Sequence, residues 1–252
     1  MKNKRMLGTT LIIIMIILMG LSIAMIASVS FPKGYKDYKN YYYFVTRQFI
    51  WFGFGTIVFW ITSKFKYTRY KKIKLHLYGI GLVLLIAVLF SKEVNGARRW
   101  FALGAFRMQP SELAKLIIIL YLAGIIDYCE RKKLSPQKLK FLWRQLGPLL
   151  LYIVLIIAEK AFSSTVQIAF IGMAMIFVSG VNIGQFIMVL LGAGFAGMIG
   201  IMSAPYRMKR FMEFKTPELS YHAQQSLIAI GSGKIIGKFY GNGLQKFFYL
   251  PE

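Results

Sequence analysis

Acid is scarce in this sequence. Nine Asp and Glu stand against 32 Lys and Arg in 252 residues, a net charge of +23. Charged residues make up only 16% of the chain, where a soluble domain carries about 25%. A single cysteine, Cys129, excludes a disulfide framework or a Cys-based metal site, leaving a small buried or interfacial thiol. His76 and His222 lie far apart without ligand-type spacing, so no metal site is expected. What abounds is apolar: 57% of residues are hydrophobic, 16% aromatic, and the mean hydropathy is +0.55. An excess of basic charge usually suggests nucleic acid. Here the cations fall between long apolar runs and not along a soluble face, which argues against nucleic acid and for anionic lipid or an anionic lipid-linked ligand.

The first five residues, Met-Lys-Asn-Lys-Arg, lead into an apolar run from Met6 to Val29. About 20 apolar residues span a bilayer, whereas a signal-peptide core has roughly 7 to 15, so this run reads as a retained first helix. Further runs at about 48–63, 75–90, 113–129, 141–158, 161–180 and 183–203 are separated by basic or Gly/Pro-containing breaks. The expected fold is an all-α polytopic membrane protein of about seven transmembrane helices. Residues 1–203 form the bundle, and 91–112 form a motif-bearing outer loop.

Residues 204–252 form an outer loop or tail. Its best spanning candidate, Ser226 to Ile230, is broken by Gly231, Gly233 and Lys234. Its interleaved apolar, Gly and aromatic residues argue against disorder.

Orientation follows from Lys and Arg near the helix ends. The N-terminal cations and dense clusters at 64–74 and 131–144 hold fifteen of the 32. The raw total does not decide, because the remainder would lie outside, several of them in the long tail, which the rule weights less. Cluster density places the N-terminus in the cytoplasm. The cations left outside are suited to a negative ligand at the outer surface.

Asn95 to Lys115, NGARRWFALGAFRMQPSELAK, is the segment richest in chemistry. Pro110 suits the first helical position, and Glu112 then falls in the first turn, where the helix dipole favours an acid. Lys115 lies within reach of Glu112 at i,i+3. That pair reads either as a helix-start feature worth a few tenths of a kcal/mol or as an intramembrane functional site, since charges facing a bundle interior are costly. Arg98, Arg99 and Trp100 read either as interfacial anchors or as a phosphate-binding cluster, because Arg forks bind phosphate bidentately.

These residues resemble the SEDS family of bacterial shape, elongation, division and sporulation proteins, typified by FtsW, RodA and SpoVE. The likeness rests on Asn95-Gly96-Ala97, Arg99-Trp100, Leu103-Gly104 and Gln109-Pro110-Ser111-Glu112 with Lys115. A second block comprises Gln225 to Gly233, Gln245-Lys246 and Tyr249-Leu250-Pro251-Glu252. The resemblance implies a multi-pass protein of the bacterial cytoplasmic membrane, a glycosyltransferase that polymerises lipid II into peptidoglycan during division, shape maintenance or sporulation. It also implies a class B penicillin-binding transpeptidase as partner, alongside membrane lipids. Arg98, Arg99 and Lys115 become candidates for binding pyrophosphate, Glu112 a supporting residue, and Trp100, Gln109, Ser111, Gln225, Ser226 and Glu252 further substrate-binding positions. No cofactor can be derived from the residues, although the resemblance admits a divalent cation.

Three departures accompany the likeness. Family members have about ten helices, and their probable catalytic Asp would lie beyond Glu252, so this chain reads as C-terminally truncated. The family's Pro-Asp-Leu-Gly-Thr motif appears as Glu159-Lys160-Ala161-Phe162-Ser163-Ser164-Thr165, with Glu159 and Thr165 alignable. Lys234 replaces a usual glycine, and Lys238-Phe239-Tyr240 interrupts a Gly-rich rhythm. A noncatalytic scaffold of the division or elongation complex is therefore the alternative, and a lipid II flippase a weaker one, because the helix centres hold few ionisable groups. Ser163, Ser164 and Thr165 are expected as helix caps, and the glycines from 172 to 200 chiefly as packing positions.

Overall fold

The computed structural model describes residues 2–93, 97–103, 106–135, 138–202, 221–234, 237–243 and 246–247. The expected positions Asn95, Gly96, Gly104, Gln245 and Glu252 lie outside them. The helices are α1 (Lys2–Tyr38), α2 (Tyr43–Ser63), α3 (Tyr67–Val88), α4 (Pro110–Arg131), α5 (Leu139–Ala158), α6 (Phe162–Val178), α7 (Ile183–Met202) and α8 (Tyr221–Gly233). Each of the seven expected apolar runs coincides with one of α1 to α7. The 13 residues of α8 are too few to cross a bilayer.

The chain divides into two compact units. One comprises residues 1–64 and 202–252. In it α1 packs on α2, and the connecting turn is aromatic: Tyr35 stacks on Tyr41 at 4.5 Å, and Tyr38 on Tyr43 at 3.7 Å. Helix α1 runs nine residues past the expected Val29, passing through Pro32. From the tail, the Gly241 amide donates to Ser28 Oγ at 3.0 Å.

The other unit comprises residues 65–201. Helix α4 packs against α3, α5 and α6, and α5 against α3 and α6. Leu85, Ile118, Leu122, Leu149, Ile156, Ile168 and Ile176 form its core, with Cys129 a free, buried thiol among them. Tyr152 is fully buried; its hydroxyl donates to the Tyr78 carbonyl at 2.9 Å, and the Tyr78 hydroxyl donates to Pro148 O at 3.0 Å. These bonds tie α3 to α5 where Pro148 withholds an amide from the helix ladder. Gly172 is a close-packing position, since a Cβ there would collide with the Leu149 methyls. Among the described residues nothing lies within 4 Å of where a Cβ would stand at Gly192, Gly194 or Gly197. The apolar windows of α1, α2 and α7 are unburied within the chain. Surfaces so large and apolar belong in lipid, where helices satisfy their own backbone.

Ahead of α4, strands β1 (Phe101–Leu103) and β2 (Phe106–Met108) form an antiparallel hairpin that pairs Phe101 with Met108 and Ala102 with Arg107. The hairpin delivers the chain to Gln109, whose extended backbone precedes Pro110 at the start of α4. At its far end α4 stops where Lys133 turns left-handed (φ 48°) and the Leu134 amide returns to the Cys129 carbonyl at 3.0 Å. Helix α5 ends in the same manner, with Lys160 at φ 58° and the Ala161 amide on Ile156 O at 3.3 Å.

Candidate functional site

Helices α4 and α6 lie side by side with their N-termini at the same end of the 65–201 unit, and a polar strip joins them there. Gln109 Nε2 donates to Ser111 Oγ at 2.9 Å and to Ser164 Oγ at 3.4 Å. Ser111 and Ser164 are buried, with their hydroxyl oxygens 3.5 Å apart. About a turn further on, the Lys115 ammonium donates to Glu112 Oε1 at 2.9 Å and to Gln167 Oε1 at 2.8 Å. The Lys115 side chain is 19% exposed and that of Glu112 56%, so the pair opens outward from the lysine. Two helix starts at one end offer unsatisfied amides and positive dipole ends, and Lys115 adds a full charge. The arrangement suits an anion.

The structure thus brings together four expected positions, Gln109, Ser111, Glu112 and Lys115, and adds Ser164 and Gln167. Ser164 is no cap: the N-cap of α6 is Ala161 without a side-chain bond, and the Thr165 hydroxyl bonds back to Ala161 O at 3.1 Å. Ser164 and Gln167 stand one turn apart on α6, opposite Ser111 and Lys115 on α4. Nothing in the spacing along α6 pointed to them, because their partners lie on another helix.

Arg98 donates to Leu89 O at 3.3 Å and lies 3.8 Å from the Glu93 carboxylate. Arg99 and Trp100 are half-buried, and Arg99 Nε has no hydrogen-bond partner among the described residues. Gln225 and Ser226 sit half-buried on α8 in the other unit.

Glu159, between α5 and α6 and outside both spans, is fully buried, and neither carboxylate oxygen has a hydrogen-bond partner among the described residues. Loss of solvent pushes its carboxyl up to about 8, so it holds its proton at neutral pH. A groove of about 490 Å³ lies towards the other ends of α4 and α6, with Ala123, Asp127, Met175 and Val178 among its lining residues. Its walls are mainly apolar, and the polar strip does not contribute to it.

Residues 9–252 match the family described as cell cycle protein, FtsW/RodA/SpoVE. The chain belongs to this family. It is 34% identical to the probable peptidoglycan glycosyltransferase FtsW of Marinobacter nauticus, over 96% of this chain and 62% of the relative. A protein of the same name from Pseudoalteromonas translucida is also 34% identical, over 99% of this chain and 64% of its own. Among solved structures, a chain of a peptidoglycan synthase complex shares the fold with TM-score 0.65 and 22% identity, over 87% of this chain and 63% of that one. The rod shape determining protein RodA of Thermus thermophilus does so with TM-score 0.52 and 24% identity, over 71% and 58%. The FtsW/RodA/SpoVE chain thus spans under two thirds of the length of these curated relatives. Membership and its apolar helices make it a multi-pass protein of the bacterial cytoplasmic membrane.

Proposed function

We propose that this chain is part of a SEDS peptidoglycan glycosyltransferase that polymerises lipid II, with the N-terminus in the cytoplasm and the Gln109–Gln167 strip at the outer face. The reaction joins a sugar hydroxyl to an anomeric carbon and releases undecaprenyl pyrophosphate. It needs a base for the hydroxyl proton and positive charge for the departing pyrophosphate.

The observation that carries the proposal is Lys115, fixed between Glu112 and Gln167 beside the starts of two helices. It supplies the second requirement. Glu112 and Gln167 hold the ammonium in place, and Arg98 and Arg99 lie on the approach to α4 as further phosphate ligands. The base is sought in the remaining third of the relatives' length, and a class B penicillin-binding transpeptidase is the partner. Among the described residues no three His, Cys, Asp or Glu converge on a cation site.

The test is a lipid II polymerisation assay, with the transpeptidase present, on the 252-residue chain and on a chimera completed with the C-terminal third of the Marinobacter relative. Glycan from the chimera, abolished by Lys115→Ala, is the expected result. Absence of glycan from a folded, partner-bound chimera would reject the enzyme reading in favour of the scaffold.

A further inference from the structure

The opposite ends of α3, α4 and α5 hold a second cationic arrangement that the polymerisation reaction does not use. Lys74 on α3 crosses to α4, donates to the Gly124 carbonyl at 2.5 Å, and sits 5.9 Å from the centre of the Tyr128 ring. Arg144 on α5 approaches the same ring at 5.6 Å. Three helices thus converge two cations on one tyrosine. Gly124 makes this possible, because a Cβ there would lie 2.5 Å from Lys74 Cδ and 3.3 Å from its Nζ.

Two neighbouring cations, Lys71 and Arg131, are already matched, both pairing with Asp127, at 2.6 and 3.1 Å. Among the described residues Lys74 and Arg144 have no carboxylate partner. Both are half-buried, and both stand about 10 Å or less inside their helix ends at 1.5 Å per residue. In a bilayer that is the level at which hydrocarbon gives way to head groups. Cationic pockets between helices at this level take lipid phosphates, and a guanidinium beside an ammonium has donors enough for a phosphodiester.

We propose that Lys74, Tyr128 and Arg144 form a binding site for the phosphodiester of an anionic phospholipid head group. Cations that merely snorkel would hold no particular head group. In a specific site the two charges are fixed by Gly124 and Tyr128 before the lipid arrives. The proposal rests on the membrane-spanning fold and is independent of the glycosyltransferase reading.

Native mass spectrometry of the purified full chain tests it, titrating phosphatidylglycerol, phosphatidylethanolamine or inorganic phosphate, with thermal midpoints followed in parallel. Phosphatidylglycerol should bind in preference to phosphatidylethanolamine. Lys74→Gln/Arg144→Gln should weaken it by about tenfold or more, whereas Lys132→Gln/Lys140→Gln, the same charge change at exposed positions, should leave it within about twofold. Gly124→Ala, which displaces Lys74 without altering charge, should weaken it too, and serves if the double variant folds poorly. Equal losses in the two double variants, or no preference between the two lipids, would overturn the site. Inorganic phosphate binding as tightly as the lipid, with the same dependence on Lys74, would overturn the lipid as its occupant.

Discussion

Lys115 and Gln167 lie 52 positions apart, yet their side chains meet at 2.8 Å across the α4–α6 seam. Glu112, three residues from Lys115 on its own helix, holds the ammonium from the other side. A lysine so tethered presents its charge at one place, and positioned charge is what a departing pyrophosphate requires.

Removing that charge should therefore affect activity far more than stability. In the chimera, Lys115→Met should lower lipid II polymerisation by ~10²-fold or more. Gln167→Ala should lower it less, by about tenfold, through loss of position rather than charge. The half-exposed pair with Glu112 should add under about 1 kcal/mol to stability. A fluorescence-monitored thermal midpoint within a few degrees of the parent's, measured on the assayed protein, checks that separation.

Glu159 makes the stability of the chain depend on pH. Its folded carboxyl titrates at about 8, above its ordinary 4.5. The folded state consequently keeps a proton that the unfolded chain gives up. Stability is fully present below about pH 4.5 and declines as pH rises towards 8 and through it. Thermal midpoints at pH 5, 7 and 9 should fall in that order, and Glu159→Gln should flatten the series, with its largest gain at pH 9. An unchanged slope in the variant would assign the dependence to another group.

Gly172 and Leu149 should behave as a coupled pair. Gly172→Ala places a methyl against a leucine with nowhere to go, at a cost of about 1–3 kcal/mol. Leu149→Ala alone leaves a cavity costing about 2–5 kcal/mol. Combined, the changes should cost less than their sum, because the added methyl enters the vacated space. A double-mutant cycle by chemical denaturation in detergent measures the difference.

The buried Cys129 leaves the parent chain nearly silent to thiol reagents. With the N-terminus inside, a membrane-impermeant maleimide applied to intact cells should label Asn40→Cys, in the turn between α1 and α2, and spare Lys72→Cys. Permeabilisation should expose the second. Reversed labelling would invert the proposed orientation.

The apolar helices were legible because a bilayer demands about twenty apolar residues in a row, and four of the described helices are long and apolar enough to cross one. Helix ends were less so. Helix α1 continues to Tyr38 because a helix persists into the aqueous layer after its hydropathy fades, and Tyr35 and Tyr38 then find stacking partners beyond the turn. Three-residue strands are too short to show an alternating pattern, so the hairpin before α4 went unread. Glu112 and Lys115 could be paired from spacing alone. Gln167 could not, because its partner lies on another helix. The burial of Glu159 was hidden as well, since an acid beside a lysine at a helix end ordinarily faces water.

Helix α6 has 17 residues, about 25 Å at 1.5 Å per residue, against a hydrocarbon layer of about 30 Å. A span that falls short draws the bilayer thin around itself, at a fraction of a kcal/mol per Å. The lipid surface should therefore dip where α6 meets α4. On the proposed reading, a prenyl-anchored substrate arriving in that leaflet would meet a lowered surface on the side of Lys115. The shortness of one helix would in this way be written into the shape of the membrane around it.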